Sequence, residues 1–259
     1  MYGQTEGSMA MDLVGITVHT MNTVHRREPV FYASIPCWPR NTASNNGNAT
    51  NEARSRHHLV STLWDHLATI ESPLWKRCES FNRDAIAIQV RRGPLGQPYL
   101  LLGGYRGPGI SFSEYGGKVW AALCGDASDI GIDVAGTDEF QRKYPFHRVF
   151  HPEELQLALR LVDGDLENAS ALLWSVKEAV VKALGCAFHL VDPLQITIYP
   201  SEDGETEENA GYTFRVGISG KALRRFPIAA HGCVWVRSLP QRNMWLSIAL
   251  LNRRPTGHE

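Results

Sequence analysis

One run limits the possible fold more than any other. Residues 172–184 read L-L-W-S-V-K-E-A-V-V-K-A-L, and only Lys177, Glu178 and Lys182 carry charge. The spacing predicts a helix over 169–184, with Gly185 as its C-cap. A helix that is apolar nearly all round is a buried helix, so other elements have to cover it. At about 100° per residue, Glu178 and Lys182 stand about 40° apart, and Ser175 lies about 60° from Glu178 on the same side. Ala171 and Gly185 fall within about 20° of Glu178, whereas Lys177 projects about 100° away. One narrow face thus holds an acid, a base and a hydroxyl bordered by very small residues. A plain surface pair at this spacing is worth about 0.2–0.5 kcal/mol. The small neighbours leave room for another use. A carboxylate in a cleft can hold a metal, and a lysine can hold a phosphate.

The remaining patterns predict a mixed α+β chain. The 259 residues, 43% hydrophobic, suit one ordinary domain or two small ones. A net charge of −1 gives no sign of a nucleic-acid binder. No run approaches the roughly 20 apolar residues that span a bilayer, and the N-terminus lacks the basic start and apolar core of a signal peptide. Five scattered cysteines without a CxxC point to reduced thiols and a cytoplasmic protein. Residues 1–55 read as a partly flexible extension with one or two short strands, LVGITVHTM and PVFYASI, before a polar linker, PRNTASNNGNATNEARSR. From Arg56 the signals sharpen. A helix is expected over HHLVSTLWDHLATI, a strand over 85–90, a turn-rich GPLGQPYLLLGGYRGPG, and a strand–turn–strand over ISFSEYGGKVWAALCG. A short apolar strand, 130–134, carries Asp133 in its middle. Pro152 then opens the helix PEELQLALRLV with two acids in its first turn. Four strands follow the charged helix: LQITIYP, YTFRVGIS, CVWVRSL and MWLSIALL.

Trp174-Ser-Val-Lys-Glu-Ala-Val-Val-Lys-Ala-Leu-Gly185 resembles the W-x-x-K-E-A-x-x-K-x-x-G signature of 4′-phosphopantetheinyl transferases, in their larger, Sfp-type branch. Four further segments fall in the family's order. Gly96-Gln-Pro-Tyr99 resembles the G-K-P-Y turn, and Ser111–Tyr115 stands where the family has N-x-S-H-S. Ile130-Gly-Ile-Asp133 resembles the (V/I)-G-(V/I)-D strand, and Phe150–Glu154 the F-(S/A)-x-x-E element. The resemblance spans roughly residues 55–220.

It implies a pseudo-duplicated α+β fold, with similar halves over 56–126 and 127–259 and a cleft between them. It also implies an enzyme, a holo-[acyl-carrier-protein] synthase or 4′-phosphopantetheinyl transferase. Such an enzyme moves phosphopantetheine from coenzyme A, the donor substrate, to a serine of an acyl or peptidyl carrier protein and releases 3′,5′-ADP, with Mg²⁺. The pathway could be fatty-acid, polyketide or nonribosomal peptide biosynthesis. By resemblance, Asp133 and Glu178 hold the metal, Glu178 and Lys182 are catalytic, and Lys177 and Lys182 face the phosphates. Gln97, Pro98, Ser113 and Glu114 line the coenzyme A site, and Glu154 is a further metal or base support. A monomer is implied, because both halves lie in one chain; neither nucleic acid nor membrane is an expected partner. The basic segment 140–149 is the expected rim for the carrier.

Three positions depart from the family. Gln97 replaces a lysine, Glu114 replaces a histidine, and Ala135 replaces the second carboxylate of D-x-E. Arg91, Arg92 and Arg106 could supply compensating charge, and Glu114 could swing to the metal in place of the missing acid. Arg54 and Arg56 precede the helix that carries basic coenzyme A contacts in the family. The alternative is an impaired relative that binds a carrier protein or nucleotide without transfer. A zinc site from His147, His151 and Glu154 is a third reading, which Pro152 opposes by starting the helix between the two histidines.

Overall fold

The structure is a computed structural model that describes residues 16–21, 29–37, 47–69, 88–124, 129–141, 144–201, 211–227, 229 and 234–251. The fold is α+β, built as two helix-on-sheet units joined edge to edge. In the first, strands β1 (His19–Met21), β2 (Val30–Pro36), β6 (Gly109–Tyr115) and β7 (Lys118–Cys124) form a sheet in the order β1-β2-β7-β6. Helix α1 (Gly47–Ala68) covers it with Leu59, Leu63 and Leu67. In the second, β8 (Asp129–Gly136), β9 (Ile196–Pro200), β10 (Tyr212–Ile218), β11 (Val234–Gln241) and β12 (Met244–Leu251) run in the order β8-β12-β11-β10-β9. Helix α3 (Leu166–Ala183) packs across it, flanked by α2 (Pro152–Leu161), with a short α4 (Gly220–Arg225) beyond β10. A small sheet, β3 (Ile88–Arg92), β4 (Pro98–Leu102) and β5 (Tyr105–Arg106), lies beside the first unit.

Three sequence expectations change. The segment 39–56, read as a linker, supplies the first turns of α1 from Gly47 onward. Its polar composition hides a helix because the packed half, from Leu59, nucleates the turns before it. Nor are residues 1–55 wholly an extension: β2 pairs with β7 along its whole length and buries Val30, Phe31 and Ala33. The turn-rich stretch 93–109 also contains β4 and β5. Gly96, Gly103 and Gly104 take φ of 85°, 56° and 91°, conformations that only glycine adopts readily, so the turns are real but the strands between them are short.

The units meet where β6 and β8 lie side by side. Here side chains bridge the strands. Ile132 N donates to Ser111 Oγ at 3.1 Å, and Val134 N to Ser113 Oγ at 3.2 Å. Both numbers rise together, so the strands run the same way. The hydroxyls satisfy two buried amides that would otherwise cost about 1–3 kcal/mol each.

Helix α3 begins at the N-cap Asp165, whose carboxylate accepts from Asn168 N at 3.0 Å. It ends at Gly185, which takes φ 78°. Its interior side is fixed by a buried chain of hydroxyls: Ser175 and Ser238 each lie 2.7 Å from Ser247 Oγ. Ser175 thus turns into the core and leaves the charged face to Glu178 and Lys182. Cys124 and Cys186 are buried, and Cys78 and Cys233 lie outside the described residues. Among the described residues no helix is long and apolar enough to cross a membrane.

Candidate active site

The site forms where α3, β8 and β6 converge. Alternation along β8 points Gly131, Asp133 and Ala135 to the α3 side. Gly131 lets the helix sit down on the strand, because a Cβ there would lie 1.8 Å from the Ala179 carbonyl oxygen. That contact brings Lys182 onto Asp133. Lys182 Nζ donates to Asp133 Oδ1 at 2.7 Å and to Ile132 O at 3.1 Å. Ser113 Oγ donates to the same Oδ1 at 3.0 Å. Asp133 is buried, and Lys182 keeps about a quarter of its side chain exposed, at 27%.

Glu178, one turn earlier on α3, shares this space. Burial pushes its carboxyl up to about 7; the negative charge of Asp133 adds to the rise, Lys182 opposes it, and Glu139 adds again. Glu139 stands on the 3₁₀ turn Thr137–Phe140 that leaves β8, and its Oε1 accepts from Gly136 N at 3.0 Å. Its own carboxyl is raised, first by burial and then by Asp133 and Asp138, against the Gly136 hydrogen bond. Tyr144 completes the edge, its phenol pushed up by burial and by Glu139 and Glu178. Glu139 was missed in the sequence. No motif covers it, and the only signal was an Asp-Glu pair just past the strand.

A pocket lies at the β3–β4 turn. The Gln97 carboxamide lies against Gly185, where a Cβ would come within 2.6 Å of Oε1. Gln97 and Pro98, with Tyr99, Arg106, Pro108 and Asp129, line a pocket beside the start of β8. The Arg106 guanidinium lies 5.8 Å from the Tyr99 ring centroid. Arg91 instead bonds Gln89 on the open surface, and Arg92 is exposed beside it.

Four sequence expectations are corrected by position. Lys177 does not face the cleft. It is fully buried and donates to Val149 O, Pro193 O and Glu154 Oε2, each at 2.9 Å. Its place on α3, about 100° round from Glu178, turns it into the core. Glu154 is spent on the same cluster: Oε1 accepts from Ile198 N at 2.8 Å and Oε2 from His151 N at 2.9 Å. That arrangement, with His151 Nε2 2.8 Å from Leu194 O, also removes the zinc reading. Glu114 points away from the metal residues and pairs with Arg56 on α1 at 2.9 Å. It follows Ser113 on a strand, so it faces the opposite side.

The carboxylates of Asp133 and Glu178 and the Ser113 hydroxyl are hard oxygen donors of the kind a divalent cation takes. Among the described residues, however, no three His, Cys, Asp or Glu side chains stand close enough together to enclose a metal ion. Ala135, where the family has a second carboxylate, is core, 1% exposed.

Comparison with known proteins bears on residues 129–229, which match the family model of the 4′-phosphopantetheinyl transferase superfamily. Two solved structures show similarity at lower levels. One is Helicobacter pylori holo-[acyl-carrier-protein] synthase in complex with coenzyme A, 18% identical, TM-score 0.38, covering 48% of this chain and 99% of that one. The other is a Chronobacterium ammoniagenes ACPS–CoA complex, 19% identical, TM-score 0.39, covering 50% and 99%. No curated protein matches the chain.

Proposed function

We propose, from the match of residues 129–229 to the family model of the 4′-phosphopantetheinyl transferase superfamily, that this protein transfers phosphopantetheine from coenzyme A to a carrier-protein serine. The observation that carries the reading is the convergence of Glu178, Lys182, Asp133 and Ser113 on one narrow space. A cleft with surplus negative charge beside a lysine suits a cation and a pyrophosphate together.

In the proposed reaction the serine oxygen attacks the β-phosphorus of coenzyme A. A new phosphorus–oxygen ester bond forms, and the bond to 3′,5′-ADP breaks. Glu178 takes the serine proton directly or through water; burial and the Asp133 charge make its carboxylate a stronger base than an exposed one. Lys182, once it leaves Asp133, bonds the phosphate oxygens and holds the charge that gathers on the leaving group. Ser113 orients the Asp133 carboxylate from its fixed place on β6. A Mg²⁺ held by Asp133 and Glu178 would neutralise pyrophosphate charge. Gln97 and Pro98 bound the pocket for the nucleotide end of coenzyme A, and Arg106 supplies a cation there in place of the family's lysine. Exposed His147 and Arg148, on the turn before α2, belong to the rim proposed for an acidic carrier surface.

The test is a transfer assay with coenzyme A, Mg²⁺ and a panel of carrier proteins lacking the prosthetic group, read by intact-protein mass. A phosphopantetheine mass gain that Glu178→Ala abolishes supports the reading. No gain on any carrier, with coenzyme A binding retained in calorimetry, would favour a relative that binds without transfer.

A further inference from the structure

The candidate metal carboxylate already carries a cation of the protein's own. Asp133 Oδ1 takes Lys182 Nζ at 2.7 Å, and Ser113 Oγ at 3.0 Å fills a second approach to the same oxygen. Lys182 is anchored from the far side by the Ile132 carbonyl at 3.1 Å. Asp133 lies in mid-strand on β8 and is buried. Lys182 is the part that can move. Its side chain is partly exposed, and it stands in the last turn of α3 on a flexible four-carbon stem.

We infer that Lys182 is a resident counter-ion that gates the metal: a divalent cation and the Lys182 ammonium compete for Asp133, and metal binding requires Lys182 to leave. The inference rests on the proposed placement of the metal at Asp133 and Glu178. Its physical basis is that two cations held against one carboxylate in a partly desolvated space repel each other strongly. The gate couples two ligands. A phosphate group gives the displaced ammonium a new partner, so donor and metal each lower the cost of binding the other.

The experiment is Mn²⁺ titration of the full chain without coenzyme A or carrier, following the loss of the free-ion signal by electron paramagnetic resonance. Lys182→Met removes the competing charge and keeps the stem; the expected result is at least tenfold tighter Mn²⁺ binding than in the unaltered protein. Lys182→Arg keeps a cation and is expected to give no such gain. Lys182→Gln serves if the Met variant does not fold. Unchanged or weaker Mn²⁺ binding in folded Lys182→Met or Lys182→Gln overturns the gate. So would tighter binding that persists in Lys182→Met with Asp133→Asn, because the ion would then sit elsewhere. Failure of the transfer assay with Mn²⁺ binding tightened as expected would sink the transferase reading and leave the gate standing.

Discussion

Glu154 and Lys177 meet at 2.9 Å in the interior, with side chains 1% and 0% exposed. The pair ties the first turn of α2 to the middle of α3 and, through Ile198 N, to β9. Every strong donor of the ammonium is used, on two carbonyls and the carboxylate. Breaking such a pair leaves a buried charge and costs about 3–5 kcal/mol. Lys177→Met is therefore expected to lose that much in urea denaturation, with part of the loss recovered by adding Glu154→Gln. If Lys177 served phosphates instead, the variant would keep its stability and weaken coenzyme A binding in calorimetry.

Gly131→Ala tests how α3 reaches the site. The added Cβ would meet backbone, the Ala179 carbonyl oxygen at 1.8 Å and Ala183 N at 2.6 Å, so no side chain can swing aside to admit it. Overpacking of this kind costs about 1–3 kcal/mol or more. The helix must lift from β8, which draws Lys182 away from Asp133. Expected outcomes are a lower urea midpoint and a fall in transfer rate larger than the fraction unfolded explains. A variant of full stability and full rate would show that the helix does not rest on this glycine.

The glycine was visible in the sequence only as part of a G-x-D strand; its reason, the carbonyl above it, belongs to the fold. The charged helix was legible because periodicity and composition agree from Ala169 to Gly185. Helical angles alone turned Lys177 away from Glu178, yet the family signature placed both in the cleft, and the angles were the better guide. Glu139 was illegible because nothing local distinguishes a 3₁₀ turn acid from a surface acid. Only the path of the chain out of β8 brings it near Asp133 and Glu178. Ser111–Tyr115 was read as standing where the family has N-x-S-H-S, with Ser113 at the coenzyme A site. The Ser111 and Ser113 hydroxyls join two strands 20 residues or more apart in sequence, which no local pattern encodes.

Glu178 predicts a pH dependence with two signs. Its carboxyl lies near 4.5 in the unfolded chain and about 7 in the fold, because burial and Asp133 disfavour the charge. Between these values the folded state binds the proton more tightly. Its contribution to stability is whole below about 4.5 and is lost as pH rises through 7, by at most about 3 kcal/mol. Denaturation in chelator is expected to show this fall, and Glu178→Gln to flatten it. Transfer runs the other way, since only the carboxylate takes a proton or holds a metal: its rate is expected to rise with pH, with a midpoint that moves below about 7 as Mg²⁺ is raised. A stability profile identical in the two proteins would place the Glu178 carboxyl in water.

Ala135→Glu restores the family's second carboxylate, and the structure predicts harm. Ala135 is 1% exposed, belongs to the core cluster under α3, and pairs across β12 with buried Trp245. A glutamate there adds both volume and an unpaired buried charge, together costing more than about 3 kcal/mol. The expected result is a large drop in melting temperature with no gain in Mn²⁺ affinity. Glu139→Gln, made in parallel, removes a negative neighbour of Glu178 from a partly exposed turn. It is expected to leave stability within about 0.5 kcal/mol and to lower the midpoint of the pH–rate profile. An Ala135→Glu protein that stayed stable and bound metal more tightly would put position 135 in the cleft, and the packing of α3 on β8 described above would then be wrong.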